Sequence, residues 1–176
     1  MKQTWIAAVA ALGLASPALA ADEVTLQLKW VTQAQFAGYY VALENGYYDE
    51  ADLDVTILPG GPDIAPTQVI AGGGADVIVE WMPAALSARE NGLPLVNIAQ
   101  PFKSSGMMLT CWKDAGISEP ADLDNRTLGV WFFGNEFPFL AWMSQLDIAT
   151  DGKAEGSVEV LKQGFNVDPL LQRQAD

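Results

Sequence analysis

Two hydrophobic periods run along this chain, and together they predict its elements. Residues 24–30, VTLQLKW, alternate apolar and polar side chains, the pattern of a strand with one buried face. After the polar break VTQAQ, residues 36–48 carry Tyr39, Tyr40, Leu43 and Tyr47 at helical spacing around the stop signal Asn45-Gly46. A second strand is predicted over 53–58, closed by the turn Pro59-Gly60-Gly61-Pro62-Asp63. A helix over 64–71 ends in three glycines, and Ala75-Asp76 leads into a strand at 77–79. A helix over 83–91 and a strand over 95–99 follow. Strands alternating with helices predict a parallel, doubly wound α/β layer.

A small polar linker, FKSSG, precedes the run MMLTCW, which opens a new unit. Here the pattern predicts a short helix at 120–123, a strand over 127–132, a helix over 138–146, a strand over 158–161 and a helix over 169–174. The closing Ala175-Asp176 repeats the helix-to-strand junction Ala75-Asp76, which suggests a chain cut off within its second unit. At the other end, residues 1–20 place Lys2 before an apolar run too short to span a bilayer and finish in Ala18-Leu19-Ala20. This is the pattern of a cleaved export signal and predicts a periplasmic protein. The expected organisation is a leader at 1–20, a first lobe at 21–104 and an incomplete second lobe at 105–176.

Charge and composition narrow the partners. Twenty-two acidic against nine basic residues give a net charge of −13, which argues against nucleic acid and anionic lipid surfaces. No other segment is apolar enough for stable membrane insertion. The absence of histidine and the single cysteine, Cys111, remove the common metal ligands and the His-assisted nucleophiles. We therefore expect no metal, no cofactor and no catalysis, with Cys111 a small apolar side chain.

Ligands of α/β layers bind beyond the carboxyl ends of the strands. That rule selects four segments. The first offers Trp30, Gln33, Gln35, Phe36 and Tyr39, aromatic faces interleaved with amides that suit a planar heterocycle, although Trp30 and Tyr39 also suit the core, Tyr39 equally well. In the second, Gly60 and Gly61 are able to present backbone N–H groups, and Asp63 either joins them or caps the next helix. The third, Glu80-Trp81, offers a carboxylate to an amine or to a helix dipole. The fourth, FFGNEF, adds Asn135 and Glu136 at a strand-to-helix turn, where Glu136 either meets a ligand or serves only as an acid in the first turn of the helix. None of the four contains lysine or arginine, which disfavours nitrate or sulfonate as the ligand.

The stretches LKWVTQAQFAGYYVALENGYYDEADLDVTI, VIAGGGADVIVEWMPAALSARENGLPLVNIA and LGVWFFGNEFPFLAWMSQLDI resemble the SsuA/THI5-like (NMT1/THI5-like) periplasmic solute-binding proteins. The resemblance implies a type II binding fold of two lobes, each with a mostly parallel sheet flanked by helices. It also implies capture of a small heteroaromatic solute, a thiamine-type pyrimidine or a riboflavin-like compound, for the permease subunits of an ABC importer. Trp30 matches the position of a tryptophan that stacks on the ligand in the pyrimidine binders, whereas Gln33 and Gln35 depart from their pattern. The same fold includes a thiamine-pyrimidine-forming enzyme that uses pyridoxal phosphate, a histidine and iron. Its cofactor lysine aligns with Glu80 and its histidine with Ala84, so the resemblance carries neither group over. A nitrate, sulfonate or taurine importer subunit and a periplasmic sensor module remain the other expectations.

Overall fold

The computed structural model describes residues 20–176, so the expected leader at 1–20 lies outside the described residues apart from Ala20. Strand β1 (Asp22–Gln27) lies between β2 (Leu53–Leu58) and β3 (Val77–Ile78) in a parallel sheet of order β2-β1-β3. The register runs from Asp22 opposite Leu53 to Gln27 opposite Leu58, with Leu26 and Gln27 opposite Val77 and Ile78. Helices α1 (Ala37–Glu44) and α2 (Pro66–Ala71) make the two crossovers, and α3 (Met82–Glu90) follows β3.

One face of β1 behaves as the alternation predicts. Leu26 and Leu28 are buried with Phe36 and Val55, and Val24, Trp30, Tyr39 and Tyr40 pack around them. The other face was expected to meet solvent and does not: Gln27 and Lys29 are buried as well. β1 is the central strand of its sheet, so its polar side chains must find partners inside. The Gln27 side-chain N–H groups donate to the carbonyls of Leu28, Leu58 and Pro59.

Each helix starts or stops where its local chemistry dictates. Proline stands in the first turn of α2 and α3, where its missing N–H costs nothing. α1 ends at Gly46, whose φ of +71° allows the Tyr47 N–H to reach back to the Ala42 carbonyl. Gly60 is required for a different reason. A Cβ there would overlap the Leu28 carbonyl oxygen and lie 2.6 Å from the Trp30 nitrogen, so β1 and the turn after β2 approach closely only because it is absent.

The second unit has its own core of Leu123, Leu128, Val130, Phe139, Met143 and Val158. β4 (Thr127–Val130) and β5 (Glu159–Lys162) pair in parallel, with α4 (Phe137–Gln145) crossing between them and α5 (Asp168–Leu171) after β5. A capping box between Glu119 and Asp122 opens the short 3-10 helix Pro120–Leu123. The Trp112 indole N–H donates to the Leu170 carbonyl at 2.8 Å and lies under the Arg173 guanidinium, tying α5 to the start of the unit.

The expected strand over 95–99 is absent. Residues 93–100 form no ladder, and Val96 and Ile98 are 78% and 75% exposed. A run of apolar residues becomes a strand only where a neighbour satisfies its backbone, and among the described residues none lies beside it. Met107, Met108 and Leu109 are exposed for the same reason. Among the described residues no helix is long and apolar enough to cross a membrane.

Candidate functional site

The carboxyl ends of the two sheets meet, and three polar contacts cross between them. The Lys29 ammonium, at the end of β1, donates to the Phe133 carbonyl at 2.6 Å. The Trp81 indole N–H, after β3, donates to Asn135 Oδ1 at 2.7 Å, while the Asn135 amide N–H donates to the Phe132 carbonyl at 2.7 Å. Asp63, after β2, faces Lys162, at the end of β5, at 3.6 Å. Trp30 meets the edge of Trp131 with ring centres 5.6 Å apart.

The backbone after β4 is bent to make this possible. Phe133 has φ +59° and Gly134 φ +97°, two left-handed residues in succession. For phenylalanine that conformation is costly and persists only where its surroundings hold it. A Cβ on Gly134 would lie 2.6 Å from the Ala84 Cβ and 3.4 Å from the Lys29 ammonium, so only glycine lets this loop touch α3. The Gly134 N–H donates to Glu136 Oε2 at 2.7 Å, which fixes that carboxylate at the start of α4.

Beneath the loop, Lys29 and Glu80 form an ion pair of 2.8 Å with side chains only 3% and 4% exposed. Glu80 Oε1 also accepts the Trp81 N–H at 2.8 Å, whereas Oε2 is buried with no hydrogen-bond partner among the described residues. Burial pushes the Glu80 carboxyl above the ordinary carboxylate range; the Lys29 ammonium pulls against that shift, and the nearby Glu136 charge adds to it.

Beside these contacts lies a cavity of about 430 Å3 between helices α2 and α3 and residues 132–137. Phe132, Phe133 and Phe137 supply aromatic surface; Thr67, Gln68 and Ser87 supply polar side chains from the helices; Lys162 and Glu136 are its charged groups. A flat ring finds apolar faces here together with donors and acceptors for its edge.

The expected site residues divide accordingly. Glu136 lines the cavity, and Trp30, Asp63, Glu80, Trp81 and Asn135 make the seam beside it. Asp63 pairs across the seam rather than capping α2, whose N-terminal cap is Ala65. Glu80 and Asn135 already have partners within the protein. Phe36 is 3% exposed in the first core, so packing takes the place of the stacking role expected of it. Tyr39 packs against the same core, and burial raises its hydroxyl pKa. The Gly60 N–H goes to the Trp30 carbonyl at 2.9 Å rather than outward, and Gly61 is buried with its carbonyl accepting the Ile64 N–H. Gln33 and Gln35 are exposed on the approach to α1 and make no side-chain hydrogen bond among the described residues.

Two residues were missed. Lys29 immediately precedes the first selected segment, and Lys162 ends a strand to which the strand-end rule also applied. Their presence removes the premise that no basic residue reaches the site.

Parallel sheets flanked by helices, joined at their carboxyl ends, are the architecture of the type II binding-protein fold. The family described as NMT1/THI5 like matches residues 33–176, and the chain belongs to it. It is similar to a formylaminopyrimidine-binding protein of Halalkalibacterium halodurans, 32% identical over 110 residues, 62% of this chain and 33% of that protein. A Haemophilus influenzae protein described as a thiamine biosynthesis protein is 24% identical over 96% of this chain and 52% of its own length. A 4-amino-5-hydroxymethyl-2-methylpyrimidine phosphate synthase of Legionella pneumophila is 27% identical over 86% of this chain and 46% of its own length. The chain thus spans from a third to about half of the length of these relatives.

Proposed function

We propose that this chain belongs to an exported protein that reversibly binds a small heteroaromatic solute of the thiamine-pyrimidine type and delivers it to an ABC importer. The observation that carries this reading is the aromatic-walled cavity at the meeting of the two strand ends. Its volume of about 430 Å3 lies low in the range of small-molecule sites, which favours a single substituted ring over a three-ring flavin. The relative that binds formylaminopyrimidine supports the same class of ligand.

Lys162 gives the nitrate and sulfonate reading one point in its favour. Against it, Lys162 is loosely paired with Asp63 and shares the cavity with Glu136, so the charged groups there carry no net positive charge. A neutral ring bearing amino groups suits them better.

Against the enzymatic reading, which the synthase relative raises, stand two residues of this chain. A carboxylate at Glu80, where the resemblance would need a lysine, forms no imine with pyridoxal phosphate, and it is already paired with Lys29. At Ala84, where the resemblance would need a histidine, a methyl group packs close to Gly134 and carries no proton-transfer or metal-binding chemistry. Among the described residues no group of three His, Cys, Asp or Glu side chains is placed to hold iron. The Glu80 carboxylate, already paired with Lys29, does not fit pyridoxal phosphate.

Titration calorimetry on the full-length protein tests the proposal. Formylaminopyrimidine should bind with a Kd of about 1 μM or tighter, corresponding to roughly 8 kcal/mol. Tight binding of nitrate or taurine with none of any pyrimidine would overturn it.

A further inference from the structure

We propose that Lys29 and Glu80 are positioning residues of the ligand site, an ion pair that holds the aromatic wall of the cavity in place from beneath. Both belong to the first unit, just after β1 and just after β3, yet the Lys29 ammonium donates to a carbonyl of the second. That carbonyl belongs to Phe133, whose ring lines the cavity and whose φ of +59° is a conformation phenylalanine avoids. A charge-assisted hydrogen bond of 2.6 Å in a nearly dry place offsets that cost, alongside the Lys162 ammonium 5.2 Å from the centre of the Phe133 ring.

The pair is built for aim. Glu80 Oε1 is fixed by the Trp81 N–H and in turn fixes the Lys29 ammonium, and Ala84 and Gly134 close around it with no room for a methyl group. A buried ion pair whose second carboxylate oxygen is left without a partner is a poor way to stabilise a core. It is a good way to place one donor at one carbonyl. Because Lys29 and Glu80 both belong to the first unit, a separation of the two units would keep the pair and break the bond to Phe133.

The inference rests on the binding reading above for its ligand, and two measurements keep them apart. In the double variant Lys29→Met/Glu80→Gln the buried charges leave together, so the fold is retained while the wall loses its anchor. With formylaminopyrimidine as probe, dissociation should be at least ten-fold faster, with association within about three-fold and Tm close to wild type. An unchanged dissociation rate at an unchanged Tm would overturn the role of the pair.

The second measurement needs no ligand and no double variant. In wild-type protein labelled with 15N-lysine, the Lys29 ammonium should give a signal protected from exchange with water. Gly134→Ala, whose Cβ would collide with Ala84 and press on the Lys29 ammonium while leaving both charged side chains in place, should abolish that protection. If the wild-type signal exchanges like that of a surface lysine, the anchor does not exist, whatever binds. If the signal is protected and no pyrimidine binds, the ligand reading fails and the anchor stands.

Discussion

The two units solve one structural problem with the same two residues. In the first, the Asp76 N–H donates to the Thr25 carbonyl at 2.9 Å and Asp76 Oδ2 accepts the Thr25 N–H at 2.8 Å. In the second, the Asp176 N–H donates to the Thr127 carbonyl and Asp176 Oδ2 accepts the Thr127 N–H, both at 2.9 Å. Ala75 and Ala175 are buried beside them. In each unit an aspartate thus lets the chain join the first strand of a sheet, on the side away from the second. The units differ in what they do with charge. The first buries an ion pair at its strand ends, whereas the second keeps its ion pairs, Arg126 with Asp176 and Arg173 with Asp114, partly or largely exposed. One unit carries a charge for positioning and the other carries charges for closing turns.

The largest expected effect breaks the first half of that contrast. Lys29→Met alone leaves Glu80 buried without its cation, and removal of one partner from a buried pair costs about 3 kcal/mol or more. Denaturant unfolding should show that loss, and adding Glu80→Gln should recover most of it. Equal costs for the single and double variants would mean that the two charges do not depend on each other.

The contrast was only partly legible in the sequence. β2 falls at 53–58 as its apolar pattern predicts, and the short helix at 120–123 follows from its proline and its acidic cap. The junction at Ala175-Asp176 was readable as an echo of Ala75-Asp76, and the hydrogen bonds give that echo its physical content. Lys29 was missed because alternation assigns only one buried face, and a central parallel strand buries both. The left-handed backbone at Phe133 was not legible because FFGN reads as a strand running into a turn. β4 instead stops at Val130, and the turn takes a left-handed phenylalanine whose stabilising partner lies 104 positions away. The strand at 95–99 failed in the opposite sense, since its pattern is strand-like and among the described residues its backbone has no neighbour to pair with. Contacts that are non-local in sequence decided all three.

A middle-sized effect sharpens the likeness between the two junctions. Asp76→Ala removes one charge-assisted acceptor from an exposed backbone N–H and should cost about 1 kcal/mol. Asp176→Ala removes the equivalent acceptor and also the partner of Arg126, 3.3 Å away, so it should cost roughly 0.5 kcal/mol more. Urea unfolding of the two variants side by side checks the order. If Asp76→Ala proved the costlier change, the shared geometry would conceal different roles.

The smallest effect concerns acid. In the second unit the Asp122 carboxyl is held below its ordinary value by the Ser118 and Glu119 N–H groups, and the Asp114 carboxyl by the Arg173 guanidinium. Carboxylates whose folded pKa is depressed stabilise the fold above the unfolded value of about 3.9 and lose that contribution as the pH falls through the folded value. Glu80 in the first unit has the opposite sign. Its folded pKa is raised, chiefly by burial, so protonation favours the folded state, and the associated stability declines as the pH rises from about 4.3 through the raised value. Lowering the pH from 6 toward 3 should therefore loosen the second unit first. Hydrogen exchange, corrected for its intrinsic pH dependence, should show protection lost around residues 114–126 while residues 22–28 remain protected. Asp122→Asn should flatten the response of the second unit alone. Earlier loosening of the first unit would show that the buried pair, rather than the exposed turn carboxylates, governs acid sensitivity.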